Sequence, residues 1–524
     1  MKLFRVLLLL ASATAVTVAQ TNEPQTMVVQ TNVPQTTIEQ TEGSQTRALS
    51  LQDCIQQALQ HNLRLQIVRY NPSLALHAVK AAQAGYDPGF SFSGEHSYSE
   101  TAGSSFDPNT GLPRAGSISE TDRFDSSLGG LLPWGLNYSF FGNVSESYGT
   151  TVGTNKFNNA RGAIGVNLSQ PLLKNFWIDA TRLSIRSAKI GLKQSDLALS
   201  NEVMIAVTET ENAYYNLVAA RESVKVREKA LELADRLLAE NKKRVEVGAL
   251  APLDEKQAES QVATARADLL AARQLLAVEQ NSLKSLITDS YADLHDVELE
   301  PTESLEVPLE VFDLQDSWNK AMTQRPDLLQ VRLDLEQQGI QLKFDRNQLY
   351  PQLDLTGSYG YNAGGVTTVD FGDAFGDFSA REQPFHSYGA ILSFPLSNRG
   401  ARNNYKASKI AVQQALLAVK SLEQSILVEV DNAITSVRAS YERVDARRQA
   451  SLYAEAALEA EQKKLESGKS TSFNVLQLQR DLTDARSQEI AARTAYIRSL
   501  AALALAEGST LERRDIDMEV ESKD

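Results

Sequence analysis

Disulfide bonds within the chain are excluded at once, because Cys54 is the only cysteine in 524 residues. A lone cysteine in a helical pattern reads as a small buried apolar residue. The five histidines, His61, His77, His96, His295 and His386, are scattered and show no metal-ligand spacing such as HExxH. A GxSxG elbow and a phosphate-binding P-loop are missing too, so no motif speaks for an enzyme, a cofactor or a metal. Basic charge is short: 52 Lys and Arg stand against 66 Asp and Glu, a formal net charge of −14. Nothing in that balance tracks a phosphate backbone, which excludes nucleic acid as a partner. An acidic pore or a cationic cargo fits it better. Past the N-terminus no apolar run approaches the roughly 18 residues of a membrane helix. A mature protein of this composition crosses a membrane only with strands.

What is present begins with "MKLFRVLLLLASATAVTVAQ". Lys2 and Arg5 precede the apolar run Val6 to Leu10, and small residues end in Thr17-Val18-Ala19. This is the layout of a secretory signal peptide cleaved after Ala19. Gln20 rather than a cysteine follows, which argues against a lipoprotein. Residues 20–47 repeat Gln-Thr pairs at Gln20, Gln30 and Gln40, with others between. Polar and nearly free of large apolar residues, the stretch is expected to be a disordered tether.

A longer repeat governs the rest. Gly468 lies 220 positions after Gly248, and that offset also pairs Lys189-Ile190 with Lys409-Ile410 and Ala272-Arg273 with Ala492-Arg493. Nearer the start the offset is 263, where "LQDCIQQAL" at Leu51 matches "LQDSWNKAM" at Leu314. The change of offset places surplus residues in the first half, between its opening helices and its long helix. The chain therefore reads as two copies of one unit, residues 48–293 and 312–506, joined by residues 294–311 and followed by an acidic tail, residues 507–524, expected to be disordered.

Each unit opens with a helical segment and then alternates. In "PGFSFSGEHSYS" Phe90, Phe92, Gly94, His96 and Tyr98 share one face, against Ser91, Ser93, Glu95 and Ser97. In "PQLDLTGSYGYN" the corresponding face carries Leu353, Leu355, Gly357, Tyr359 and Tyr361. One apolar face and one small polar face describe a strand with different solvents on its two sides. "GAIGVNLSQP" and "YGAILSFP" close the two inserts, and "LGGLLPWGLNYSFFG" adds a further hairpin to the first unit alone. Residues 101–119 and 364–378, rich in Gly and Ser, read as exposed loops.

Long helices follow. Leu217, Val224, Leu231, Leu238 and Val245 recur every seventh position, and the repeat sets Val437, Val444, Ser451, Leu458 and Leu465 in equivalent places. That is coiled-coil spacing. A helix from Ala180 to Glu246 spans roughly 100 Å at 1.5 Å per residue. Gly248 and Gly468 supply the positive φ that ends a helix, and Pro252 or Ser470-Thr471-Ser472 begins the next. "VEVGALAPLDEKQA" and "LESGKSTSFNVLQLQ" are thus the tips of two antiparallel helical hairpins.

The tandem unit, the inserts ending in "SQPLL" and "SFPLS" and the two tips together resemble the TolC-type outer membrane efflux protein family across residues 48–507. The resemblance implies an α+β membrane protein: a homotrimer sharing a twelve-stranded outer-membrane β-barrel, four strands per chain, continued by a periplasmic α-helical coiled-coil barrel. A belt would form from the shorter helices near 51–85 and 314–346 and the segment 294–308. Such proteins are passive exit ducts of tripartite efflux pumps or type I secretion systems, set in outer-membrane lipid. A periplasmic adaptor (membrane fusion) protein links them to an inner-membrane transporter.

The same resemblance assigns the site. Acidic residues just after the tip turn would ring the periplasmic constriction, which here means Asp254, followed by Glu255; at the second tip Asn474 and Gln477 stand where relatives often carry aspartates. Adaptor docking would fall on Gly248, Ala249 and Leu250 and on Gly468, Lys469 and Ser470. The plain alternative for Asp254 is a solvated carboxylate favoured by the helix dipole in a first turn. For the whole chain the alternative is an exported coiled-coil structural or adhesive protein, or a periplasmic adaptor, although an adaptor would show one hairpin flanked by β-rich modules.

Overall fold

The computed structural model describes residues 46–516, except 104–105, 107–109, 112, 114–115, 152–154, 309 and 366. The signal peptide, most of the Gln-Thr segment and the last eight residues lie outside the described part. The expected tether stops short of residue 47, because Thr46–Leu49 (β1) pairs in parallel with Glu298–Pro301 (β6) of the connecting segment.

Helix starts follow local chemistry. Leu51–His61 (α1) begins where the Ser50 hydroxyl accepts from Asp53 N at 3.1 Å and Ser50 N donates to the Asp53 carboxylate at 3.2 Å, a reciprocal cap. Leu63–Gln83 (α2) starts on Asn62, whose side-chain oxygen accepts from Leu65 N. In the second half Leu314–Gln324 (α5) begins at Asp313, and Pro326 opens Pro326–Asn347 (α6), where its missing N–H costs nothing.

These short helices pack on two much longer ones. Ala180–Glu246 (α3) has 67 residues and Arg399–Glu466 (α8) has 68. Their return arms are Pro252–Ile287 (α4) and Ser472–Glu507 (α9), 36 residues each. Along α3, first α2 and then α4 packs; along α8, first α6 and then α9. Cys54, Ile55 and Leu65 bury against Val207, Tyr214 and Leu217 of α3, while Ala321 and Leu328 bury against Ile426, Val430 and Ile434 of α8. Burial lifts the Cys54 thiol to about 12, so it is an inert packing residue. No described helix is long and apolar enough to cross a membrane.

One antiparallel sheet sits at the other end of the long helices. Its order is β2 (Gly89–Thr101), β3 (Ser117–Leu131), β4 (Asn137–Thr150), β5 (Lys156–Pro171), β7 (Gln352–Ala363) and β8 (Pro384–Ser393). The sheet holds six strands: the four that the resemblance implied and the further hairpin read in the first unit. The extra hairpin, β3 and β4, runs 15 and 14 residues and stands between β2 and β5 with full pairing to both. It escaped full recognition because the far ends of its strands carry charges, Glu120, Asp122 and Glu146, that read as loop.

Toward the helical base the register sorts most side chains by face. Phe90 lies opposite Leu128, Leu128 opposite Phe140, Phe140 opposite Val166, and Val166 opposite Tyr359, one apolar row across five strands. On the other face Ser91, Ser127 and Ser139 alternate with that row and Asp125 meets Asn143, with Phe141, opposite Ser127, the large apolar residue among them.

Two expected irregular segments are ordered. In and just past residues 364–378 the chain forms Phe371–Ala380 (α7), which packs on the apolar sheet face: Phe371, Ala374 and Phe378 cover Phe124, Val144, Ala160 and Ala363. Asp370 caps it, and the Asp377 carboxylate accepts from Gly364 N and the Thr368 hydroxyl. Gly372 and Gly376 hide this helix from propensity. The tail is structured through Ile516: Gly508 ends α9 at φ 75°, and Thr510–Arg513 (α10) follows. Arg513 pairs with Glu310 and Arg514 with Glu211, so basic residues in an acidic-looking tail anchor it.

Candidate functional site at the helical tips

The first tip is built from a helix stop and an immediate restart. Gly248 takes φ 76°, with its N–H on the Val245 carbonyl, and the amides of Ala249 and Leu250 both donate to the Arg244 carbonyl. With no Cβ, glycine adopts this conformation without strain. Pro252 sets the next helix, and the Asp254 carboxylate accepts from Ala251 N at 3.2 Å. Asp254 thus caps its own helix, and both it and Glu255 are half-buried.

At the second tip Gly468 repeats the turn at φ 69°, and Lys469 N donates to the Lys464 carbonyl. Ser470 donates its hydroxyl to Glu461 and accepts from the Asn474 amide at 3.4 Å. The Ser470 hydrogen bond, with Lys464 beside it, holds the Glu461 carboxyl below its ordinary range. Gln477 donates to Asp481 at 3.0 Å. Asn474 and Gln477 are exposed and bonded within their own hairpin.

The two tips are tied together by a residue that sequence reasoning passed over. Asn241 of α3, fully buried, donates to the Asp254 main-chain carbonyl at 3.4 Å and accepts from the Ser472 hydroxyl at 2.9 Å. Three helices, α3, α4 and α9, meet on this one amide. Arg480 of α9 adds a bond to Gln261 of α4 at 2.6 Å. Asn241 sits in the polar run "AENKKRVE", where only its place about two turns before Gly248 marks it. Around this pin the tips expose apolar side chains: Val247 is 78% exposed, Leu253 66% and Phe473 56%. Unpartnered apolar groups at the end of a hairpin suit a protein partner better than water.

A two-faced sheet, two long helical hairpins and short helices packed along their middles are the architecture of outer-membrane channels that continue into the periplasm. Solved structures agree. The Campylobacter jejuni CmeC outer membrane channel has a TM-score of 0.63 at 18% identity, covering 89% of this chain and 90% of its own. The outer-membrane channel OprN has a TM-score of 0.65 at 16% identity, covering 88% and 90%. A sequence profile described as "Outer membrane efflux protein" matches residues 54–288 and 318–509, and the chain belongs to that family. Among its relatives are the pyoverdine export outer membrane protein OpmQ of Pseudomonas aeruginosa, 24% identical over 65% of this chain and 69% of that protein, and the outer membrane protein TolC of Vibrio cholerae, 25% identical over 67% and 77%. The protein is an efflux channel component of the outer membrane with a large periplasmic portion.

Proposed function

We propose that three copies of this chain form a passive exit duct for a tripartite efflux pump or type I secretion system. Each chain is two copies of one unit, exported by a leader cleaved after residue 19. The observation that carries this reading is the coupling, in every chain, of a sheet with one apolar and one polar face to helical hairpins. Such a sheet is stable in lipid only when its edges are closed, and neighbouring copies supply the closure.

The tips are the gate. Three Asp254 carboxylates around a narrow mouth focus a negative potential that draws cations. At the equivalent position Asn474 adds no charge, so the trap is weaker than one with doubled rings. Repacking of the hairpins opens the mouth, and Asn241 resists it by holding α4 and α9 to α3. A periplasmic adaptor docks on Gly248, Ala249 and Leu250 and on Gly468, Lys469 and Ser470, where Val247, Leu253 and Phe473 offer apolar purchase, and an inner-membrane transporter supplies the energy.

The test is the native mass of the detergent-extracted protein, corrected for bound detergent. A value near three times 57.5 kDa is expected. A monomeric mass, or full recovery in the soluble fraction, would overturn the duct and favour a coiled-coil structural role.

A further inference from the structure

We infer that the extra hairpin is barrel wall, so that three copies close an eighteen-stranded barrel rather than one of twelve. The inference rests on the trimer reading above and concerns what the edge of each sheet accepts: a second copy of this chain.

Three observations place the hairpin in the wall. Its two strands pair continuously on both sides, β3 with β2 from Ser117 to Gly129 opposite Thr101 to Gly89, and β4 with β5 from Asn137 to Thr150. A lid folded away from the sheet would give up both ladders and leave β2 to find β5 across a new register. Its side chains also continue both faces in the half nearer its turn: Phe124 stacks on Phe92 at 6.2 Å between ring centroids, while Arg123 and Asp125 lie on the polar side, and beyond Phe124 the apolar face gives way to Asp122, Glu120 and Glu146. Thirdly, its turn is fastened to the helical base. Arg182, in the first turn of α3, donates from Nε and Nη2 to the Pro133 carbonyl at 3.0 and 2.6 Å, and from Nη1 to the Phe176 carbonyl at 2.6 Å. The count also permits closure by copies of the chain, as any even number of antiparallel strands does. Six antiparallel strands leave β2 and β8 as edges running in opposite directions, so β8 of one copy meets β2 of the next in antiparallel pairing.

The geometry of the helices fits this count. Strands about 4.8 Å apart and tilted about 40° give eighteen of them a perimeter of ~110 Å and a diameter of ~36 Å, against ~24 Å for twelve. In each chain four helices, α2, α3, α6 and α8, lead into or out of the sheet. Twelve helical lanes at 9–10 Å have a perimeter of roughly 110 Å. At that tilt an eighteen-stranded wall is as wide as the helical tube and encloses about twice the cross-section of a twelve-stranded one, while a larger tilt widens either. β3 and β4 join no helix, and the Arg182 bonds hold their turn at the rim.

Two measurements separate the wall from the trimer. Spin labels on Ser127→Cys and Leu128→Cys, in the full chain in lipid nanodiscs, report the two faces of β3; buried Cys54 does not compete for label. A wall strand gives Leu128→Cys the greater access to lipid-soluble oxygen and Ser127→Cys the greater access to a water-soluble relaxant, each by about threefold or more. Equal water access at both sites overturns the inference even if the mass is trimeric. Electron microscopy of the same particles, at a resolution that separates strands, then counts the wall: eighteen strands support the inference, and twelve with the hairpin outside overturn it. A mass other than three chains refutes the trimer and with it the strand count, whereas the label contrast still decides whether β3 faces lipid.

Discussion

The two helical hairpins descend from one pattern but pack differently. In the second, every seventh-position residue, Val437, Val444, Ser451, Leu458 and Leu465, is buried. In the first, Leu217 and Val224 are buried, while Leu231, Leu238 and Val245 toward the tip are only half covered. Leu237, one position earlier, turns instead toward Leu458, Leu465 and Val475 of the second hairpin. Thus the second hairpin forms its own seam down to the tip, and the first borrows that seam. Stability at the tips is asymmetric, with α8 and α9 as the fixed body and α3 and α4 as the arm held against it.

The largest effect is expected where that seam is cut. Leu465→Ala should cost about 2–5 kcal/mol, as removal of a buried leucine does, and lower the midpoint of thermal helix loss followed by circular dichroism. The equivalent Val245→Ala should cost clearly less. Equal losses would erase the asymmetry.

A smaller effect is expected at the pin between the hairpins. Asn241→Ala leaves the buried Ser472 hydroxyl without its partner, a cost of about 1–3 kcal/mol. Tryptic cleavage at Lys242 and Lys243 should accelerate, and bilayer conductance should rise. Unchanged rates in both assays would mean that the arm is held by apolar contact alone.

The smallest effect concerns charge. Asp254→Asn should reduce cation over anion preference in bilayer recordings by a few-fold, about 1 kcal/mol or less, and Asn474→Asp should raise it. Unchanged selectivity in both would remove this level of the tips from the constriction.

Much of this was legible beforehand where a period carried it. The helix from Ala180 to Glu246, both glycine turns and the two faces of β2 and β7 follow from spacing alone. What escaped depends on residues distant in sequence. Asn241 matters through Ser472, and Arg182 through Pro133, neither of which leaves a local signal. Helix α7 forms despite two glycines because the sheet offers Phe371 and Phe378 an apolar bed. The ordered tail depends on Glu211 and Glu310, far from the arginines they hold.

The edges of the sheet bear on how a cell must handle this chain before it is in place. β2 carries Glu95 and Glu100, which discourage stray pairing, but β8, "PFHSYGAILS", has no Asp, Glu, Lys or Arg and leaves Tyr388 and Leu392 bare. A chain in transit thus travels with one protected side and one adhesive side. Its supply has to keep pace with escort and insertion, since any backlog brings adhesive edges together in the wrong compartment.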